Sequence, residues 1–215
     1  MPVVTLRIAR SAGLTDYEVE ALEGMTVLDA LEVIRHAREP GLRYRHSCHH
    51  GSCGTCGALV NGKERLLCVT PLPGEGPVLV EPLRKTGVVA DLAVDPSRFF
   101  SQMPRESGYL RPSRTRRENA VQLEACIECG LCVSACPVTA PFVGPAALAA
   151  VDTDRETDPG RTAAALDFAA RPGGVEACQS HFECSRACPQ GVAPGRRITA
   201  LRRALQDRTA NDRSA

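Results

Sequence analysis

The sequence predicts an α+β protein in two parts, with a small sheet and one helix in the N-terminal part and helices in the C-terminal part. Apolar residues alternate with polar ones along the first segments, as in half-buried strands. The C-terminal segments begin at prolines and carry apolar residues at helical spacing. A third observation is that eleven cysteines fall into three groups along the chain.

Strands and a tight hairpin are predicted in the N-terminal part. The first strand is indicated by alternating apolar residues at Val4, Leu6 and Ile8. Residues 17–21 are expected to pair with it. The segment 58–63 predicts a hairpin, because Asn61-Gly62 tolerates the positive φ of a type I′ turn. Residues 78–80 add a further strand.

One helix is expected across this sheet. Thr26 lies three residues before Asp29, an arrangement typical of a capping box at a helix start. An apolar stripe follows at helical spacing and ends near Pro40; its members are Val27, Leu28, Leu31 and Ile34.

Helices are expected in the C-terminal part. Pro145 opens a helix through Ala150, and the segment 152–173 is mixed in character. Pro194 opens another helix, whose apolar face is formed by Ile198, Leu201 and Leu205. The arginines of that helix are predicted to form a solvated face; they are Arg196, Arg197, Arg202 and Arg203. Between the two parts, residues 107–118 contain Gly108, Pro112 and four arginines, which predicts a junction and a domain boundary near residue 105.

Composition excludes several functional classes. Lys and Arg number 26 and Asp and Glu number 25, so the net charge of +1 gives no electrostatic footprint for nucleic acid or an anionic membrane. The N-terminus has no apolar stretch of signal-peptide type, and no segment is apolar for long enough to span a bilayer. An odd number of cysteines does not suit a disulfide framework, so a reducing compartment and metal binding are expected.

The first group of cysteines has the spacing C-x4-C-x2-C-x11-C and consists of Cys48, Cys53, Cys56 and Cys68. Its C-x4-C-x2-C core is the plant-type spacing for a 2Fe–2S cluster. A loop around a cluster needs positive φ and amides that approach the sulfides without an intervening Cβ, which explains Gly51, Gly54 and Gly57. Structural zinc usually takes C-x2-C pairs and explains this spacing less well. Four thiolates already complete the coordination of the two irons, so the neighbouring histidines are interpreted as loop residues and not as ligands; they are His46, His49 and His50.

The second group is the run C-x2-C-x2-C-x3-C-P, with Cys126, Cys129, Cys132 and Cys136. In two-cluster proteins the fourth cysteine of this run ligates the other cluster, so a partner motif is required. The third group supplies it as C-x5-C-x3-C-P, with Cys178, Cys184 and Cys188. Exchange of ligands then gives four thiolates for a 4Fe–4S cluster, namely Cys126, Cys129, Cys132 and Cys188. The three that remain suit a 3Fe–4S cluster, namely Cys136, Cys178 and Cys184.

His181 stands where a fourth ligand of the third group is missing. An imidazole can bind iron, so one interpretation makes His181 the ligand of a fourth iron. The simpler interpretation, favoured because cysteine is the usual ligand of cubane clusters, is that His181 lines the cluster or a site beside it.

These motifs, in this order, resemble the iron–sulfur subunit of succinate dehydrogenase/fumarate reductase along nearly the whole chain. The resemblance rests on the three cysteine groups, on the Asp91–Asp95 segment and on the Phe142–Ala146 segment. It implies a plant-type ferredoxin (β-grasp) domain at residues 1–105 and a helical bacterial-ferredoxin-like domain at 106–215, which carries the 4Fe–4S and 3Fe–4S clusters.

The resemblance also implies partners and a location. Electrons would pass between the flavin of an FAD-containing flavoprotein subunit, the 2Fe–2S, 4Fe–4S and 3Fe–4S clusters, and a quinone beside a membrane anchor. Dicarboxylate chemistry would belong to the flavoprotein, so this chain would supply the electron path and no catalytic residue. It would lie in the cytoplasm, peripheral on the inner face of the cytoplasmic membrane through its partner subunits.

The sequence departs from the family beside the third cluster. Family members with a well-described quinone pocket usually have a Trp shortly after the second run and a His directly after the first cysteine of the third motif. Here those positions hold Pro141 and Gln179, and His181 lies two residues further on. Gln179 and His181 are therefore the candidate quinone-proximal residues. Two alternatives stay open: an iron–sulfur wire for another flavin-dependent reductase, such as a thiol-linked fumarate reductase, and a zinc-stabilised adaptor.

Overall fold

The computed structural model describes residues 2–102, 126–139 and 141–214 and combines helices with sheet, as predicted. It divides into two compact units. The first contains residues 1–98 and 127–134, and the second contains residues 99–126 and 135–215. The expected boundary near residue 105 and the junction at 107–118 lie outside the described residues.

The first unit is built on a five-stranded sheet. Its strands in chain order are β1 Val3–Arg10, β2 Gly13–Glu20, β3 Gly57–Val60, β4 Lys63–Leu66 and β5 Val78–Glu81. The spatial order is β2-β1-β5-β3-β4, with β1 and β5 parallel and the other pairs antiparallel. The register places Leu6 opposite Tyr17 and Val78, so alternate residues of the central strands face the core. The predicted hairpin is confirmed, since Asn61 and Gly62 have φ values of 49° and 74°.

Helix α1 (Val27–Ala37) begins at the predicted capping box. Asp29 N–H donates to Thr26 Oγ1 over 3.2 Å, and Thr26 N–H donates to Asp29 Oδ2 over 2.9 Å. The helix buries one face completely, formed by Val27, Leu28, Ala30, Leu31 and Ile34. It ends at Ala37, so the prediction from Pro40 placed its C-terminus slightly too late.

Replacement of Thr26 by alanine is expected to lower the free energy of unfolding by about 1 kcal/mol, because an amide of the first helical turn loses its acceptor. Chemical denaturation followed by circular dichroism measures the change. Thr26→Ser keeps the hydroxyl and should stay close to the wild-type stability. Equal losses for the two variants would mean that the methyl group, and not the cap, stabilises this position.

Asp91 joins three segments of the first unit that are far apart in sequence. Its carboxylate accepts hydrogen bonds from the Ser11 and Arg43 amides, each over 2.9 Å, and forms an ion pair with Arg10 over 3.1 Å. Burial opposes ionisation, but these donors outweigh it and hold the pKa of Asp91 below its ordinary value. Asp91 lies between β6 (Gly87–Ala90) and β7 (Ala93–Asp95), which pair as a small separate hairpin.

The lowered pKa of Asp91 predicts a loss of stability in acid. The contribution of the ionised group is fully present above the unfolded-state pKa of about 3.9 and is lost as the pH falls through the lower folded-state value. Asp91→Asn should lower the free energy of unfolding at neutral pH by about 1–3 kcal/mol, because buried donors lose their charged acceptor. Denaturation curves at pH 7 and pH 3 test this. The gap between the wild type and the variant should narrow in acid, and a constant gap would contradict the assignment.

The remaining helices are α2 Ser97–Gln102, α3 Leu131–Ala135, α4 Pro145–Thr157, α5 Thr162–Ala170, α6 Glu183–Arg186 and α7 Pro194–Ser214. In the second unit α4, α5 and α7 enclose a core that includes Leu148, Leu166, Ala169, Val175, Ile198 and Leu201. Within the described part of the chain, no helix combines the length and apolar character needed to cross a membrane.

Two expectations about the helical unit were wrong. Helix α4 continues past Ala150 to Thr157, because the buried Asp152 is paired with Arg155 and Arg197. The arginines of α7 do not form a uniform solvated face. Arg197 reaches Asp152, and Arg202 donates hydrogen bonds to backbone carbonyls, whereas Arg196 and Arg203 are exposed.

Candidate metal centres

The hairpin β3–β4 positions two cysteines of the first group. Cys56 directly precedes β3, and Cys68 lies in a single helical turn, Leu67–Val69, directly after β4. The Leu67 amide donates to the Cys56 carbonyl over 3.1 Å, which continues the pairing of the strands. Both cysteines are buried, and their thiols interact. Burial, and after it the Cys68 side chain, raises the pKa of the Cys56 thiol to about 12.

The loop before β3 wraps the other two thiols with backbone amides. The amides of Ser52 and Cys53 each donate to Cys48 Sγ over 3.3 Å, and the Cys48 amide donates to Cys53 Sγ over 3.5 Å. Amide hydrogen bonds from His50 and then from Cys53 and Ser52 lower the pKa of the Cys48 thiol to about 6. The Gly51 amide donates to Cys68 Sγ over 3.3 Å. Such amides stabilise negative charge on sulfur.

The first group therefore consists of two interacting pairs, Cys48 with Cys53 and Cys56 with Cys68. An all-sulfur donor set with convergent amides fits a 2Fe–2S cluster, in which each iron takes two protein thiolates. His46 and His49 share a hydrogen bond between their rings over 3.1 Å. His46 also faces Glu32, with 3.4 Å between its Nε2 and the carboxylate.

The three glycines of this loop serve different purposes. Gly51 and Gly54 have φ values of 77° and 70°, as expected for the turns of a cluster loop. Gly54 is also in close contact with the second cysteine run, because a Cβ there would overlap the Ile127 carbonyl oxygen and lie 3.1 Å from Cys129 Cα. At Gly57 φ is not positive. Its Cβ would lie 3.2 Å from the Cys129 carbonyl oxygen, so close packing explains this glycine.

Residues 127–134 of the second run pack in the first unit. Ser134 Oγ accepts the Arg84 amide and donates to the buried Glu64, each over 2.9 Å. The side chain of Leu131 is completely buried. These polar contacts were missed from the sequence, because a glutamate in an alternating strand gives no sign of a partner 70 residues away.

The two units divide the predicted 4Fe–4S ligands. Cys129 and Cys132 belong to the first unit, and Cys126 and Cys188 belong to the second. All four are partly exposed in the structure. Among the side chains that the structure describes, no group of three His, Cys, Asp or Glu is arranged for a single metal ion.

The three cysteines predicted for the 3Fe–4S cluster lie together in the second unit. Burial, and after it the neighbouring thiols of Cys136 and Cys178, raises the pKa of Cys184 to about 11. All three line one pocket, whose wall includes Phe142, Pro145 and Ile198. Bound iron favours the deprotonation of such thiols. Because three thiols lie together, this group fits a cluster with three protein ligands.

Gln179 and His181 lie on the wall of the same pocket. His181 Nε2 and Gln179 Oε1 are 3.0 Å apart, and both residues are exposed. Ser180 and Phe182 have φ values of 57° and 62°. The loop between Cys178 and Cys184 thus contains two non-glycine residues in the left-handed region, which is uncommon and requires support from the surroundings.

Two family models match the chain. Residues 6–101 match a 2Fe-2S iron-sulfur cluster binding domain, and residues 122–192 match a 4Fe-4S dicluster domain. The order of the two domains agrees with the order of the cysteine groups.

Named relatives and a solved structure extend this similarity. The chain is 38% identical over 197 residues to the fumarate reductase iron-sulfur subunit of Mycobacterium tuberculosis, covering 83% of this chain and 80% of that protein. It is 30% identical over 211 residues to the succinate dehydrogenase iron-sulfur subunit of Coxiella burnetii, covering 90% and 89%. A chain of the Mycobacterium smegmatis Sdh1 complex in the apo form superposes with a TM-score of 0.75 at 25% identity, covering 96% of this chain and 97% of that one.

The fold and the cysteine groups define an iron–sulfur protein with a 2Fe–2S domain followed by a 4Fe–4S dicluster domain. The identity and coverage of its relatives place it more narrowly. The chain belongs to the family of succinate dehydrogenase/fumarate reductase iron–sulfur subunits.

Proposed function

We propose that this chain is the electron-transfer subunit of a succinate dehydrogenase/fumarate reductase. It relays electrons between the flavin of an FAD-containing flavoprotein subunit and a membrane quinone. Its N-terminal domain is of the plant-type ferredoxin (β-grasp) class and its C-terminal domain of the helical bacterial-ferredoxin class, with the boundary near residue 105. Partner subunits, including a membrane anchor, hold it at the cytoplasmic face of the membrane.

Three ligand sets make up the proposed relay. The 2Fe–2S cluster is held by Cys48, Cys53, Cys56 and Cys68. The 4Fe–4S cluster is held by Cys126, Cys129, Cys132 and Cys188. The 3Fe–4S cluster is held by Cys136, Cys178 and Cys184. When bound, the clusters supply one-electron chemistry, and the protein supplies thiolates, amide hydrogen bonds and burial that set their potentials.

One observation carries this proposal: the loop of the first cysteine group touches the loop of the second. Gly54, between Cys53 and Cys56, leaves no space for a side chain beside the backbone of Cys129. Electron transfer slows steeply with distance, and a contact between two ligand loops keeps their clusters near each other. A protein that used metal only to stabilise an adaptor would not need this approach.

A second candidate is an iron–sulfur wire for another flavin-dependent reductase. The observation that favours it concerns the loop of the third group, where Gln179 and His181 form a hydrogen bond with each other. Family members usually carry a histidine at the position of Gln179, two residues before His181. Purification of the complex separates the two functions. A membrane anchor and a quinone-reactive complex support the first, whereas a partner that reduces or oxidises thiols supports the second.

EPR spectroscopy of the anaerobically purified protein tests the cluster content. We expect an oxidised 3Fe–4S signal in the protein as isolated and a 2Fe–2S signal after mild reduction. The appearance of a second cubane in place of the 3Fe–4S signal would overturn the three-cysteine set and make His181 a ligand. A colourless zinc protein without any EPR signal would overturn the electron-transfer function itself.

A further inference from the structure

The first cysteine of the third group, Cys178, is held in place by its backbone. Its amide donates to the Val175 carbonyl over 3.1 Å. Its own carbonyl accepts a hydrogen bond from Arg202 over 2.9 Å. Both backbone groups of this residue are therefore occupied, which fixes the direction in which its side chain leaves the chain.

Arg202 makes this arrangement from helix α7. Its Nη2 donates to the carbonyls of Val175 and Cys178, each over 2.9 Å, and its Nη1 donates to Ser180 Oγ over 3.1 Å. One guanidinium thus binds three points on the segment that carries the ligand. A planar group with five N–H donors in a fixed geometry suits this task better than a lysine.

The segment bound by Arg202 needs such support. Between Cys178 and Cys184 the backbone passes twice through the left-handed region, at Ser180 and at Phe182. That conformation is unfavourable for residues with a side chain and persists only where contacts hold it. Arg202 contacts Ser180 directly, and the helix that carries it is anchored in the core by Ile198 and Leu201.

We infer that Arg202 is a positioning residue for the 3Fe–4S centre: it fixes the Cys178 ligand through the backbone and places a positive charge beside the cluster. This inference rests on the proposed function. Reduction adds negative charge to a cluster, so a nearby guanidinium stabilises the reduced form and raises the midpoint potential. The same hydrogen bonds slow the loss of the cluster, because Cys178 stays near the iron when the bond between them breaks and can bind again.

Three variants of the full-length chain test the inference: Arg202→Gln, Arg202→Lys and Arg203→Gln. Arg203 is the matched control, since it lies next in the same helix, is exposed, and carries the same charge. The readouts are the amount of oxidised 3Fe–4S signal relative to the reduced 2Fe–2S signal, its midpoint potential, and the rate of its loss in the presence of a chelator.

In Arg202→Gln we expect a more negative midpoint potential and a loss of the 3Fe–4S signal about 10-fold faster than in the wild type. The 2Fe–2S signal should be unchanged. Arg202→Lys keeps the charge, so its potential should return towards the wild-type value while its cluster is still lost faster. Arg203→Gln should match the wild type in every readout.

Other results would overturn the inference. The first is an Arg202→Gln protein whose midpoint potential and rate of cluster loss equal those of the wild type. The second is an Arg203→Gln protein in which these two quantities change as much as in Arg202→Gln. The last is a joint loss of the 2Fe–2S and 3Fe–4S signals in both Arg202 variants. The last would mean that Arg202 supports the whole fold. Absence of the 3Fe–4S signal from the wild type would instead contradict the proposed cluster set.

Discussion

Gly54→Ala is expected to lower the free energy of unfolding by about 2–5 kcal/mol and to remove most of the 4Fe–4S signal. Two costs add up in this variant. A left-handed conformation costs an alanine about 1–2 kcal/mol, and the overlap of its Cβ with neighbouring atoms costs about 1–3 kcal/mol more. The overlapping atom is the Ile127 carbonyl oxygen, and Cys129 lies just behind it, so relief of the overlap must move a predicted ligand of the 4Fe–4S cluster.

Gly62→Ala is the matched control for Gly54→Ala. Gly62 has a φ of 74°, close to the 70° of Gly54, but a Cβ at Gly62 has no atom within 4 Å. The control therefore carries only the backbone cost of about 1–2 kcal/mol and should keep all EPR signals. Chemical denaturation gives the stabilities, and EPR of the reduced protein gives the cluster content. Equal effects in the two variants would show that the contact with the second run contributes neither to the free energy of unfolding nor to cluster binding.

Cys188→Ser is expected to abolish the 4Fe–4S signal and leave the 2Fe–2S signal in place. In the proposed exchange of ligands between the two C-P runs, Cys188 is the fourth thiolate of the 4Fe–4S set, although its nearest cysteine in sequence, Cys184, is assigned to the other set. Because the binding free energy of a metal centre is also folding free energy, the helical unit should lose stability as well. Circular dichroism should show the lost helix, and EPR after reduction should show the surviving 2Fe–2S signal.

Cys184→Ser is the partner experiment and reverses the pattern. It should remove the 3Fe–4S signal, because the buried Cys184 interacts with Cys136 and Cys178. The two variants together test the exchange itself. Loss of the 3Fe–4S signal in Cys188→Ser, with the 4Fe–4S signal intact, would show that each run binds its own cluster.

Local signals made much of the first unit predictable. The alternation in β1, the capping box of α1 and the Asn61-Gly62 turn are each encoded within a few residues, and each is present in the structure. The order of the strands is not encoded in this way. The parallel pairing of β1 with β5 depends on which apolar faces meet in the core, and periodicity alone does not report that.

The candidate sites show the same contrast between features that are encoded locally and features that depend on packing. Spacing alone grouped the cysteines, because cluster geometry restricts which spacings can ligate. Spacing did not reveal the groups around the ligands. Arg202 looked like any arginine on the polar side of a helix, and its backbone partners become visible only when α7 is packed against the third cysteine segment. The same holds for Ser134, whose acceptor Glu64 lies in another element.

The parallel pairing of β1 with β5 has a consequence for the kinetics of folding. The whole of the first cysteine group lies in the connection between these two neighbouring strands. The centre of the sheet cannot form until the ends of that long connection meet. Closing a long loop costs conformational entropy before the contacts between the strands can stabilise the sheet. Iron bound early to the loop would shorten the free part of the connection. Insertion of the cluster into this loop would then accelerate folding of the first unit.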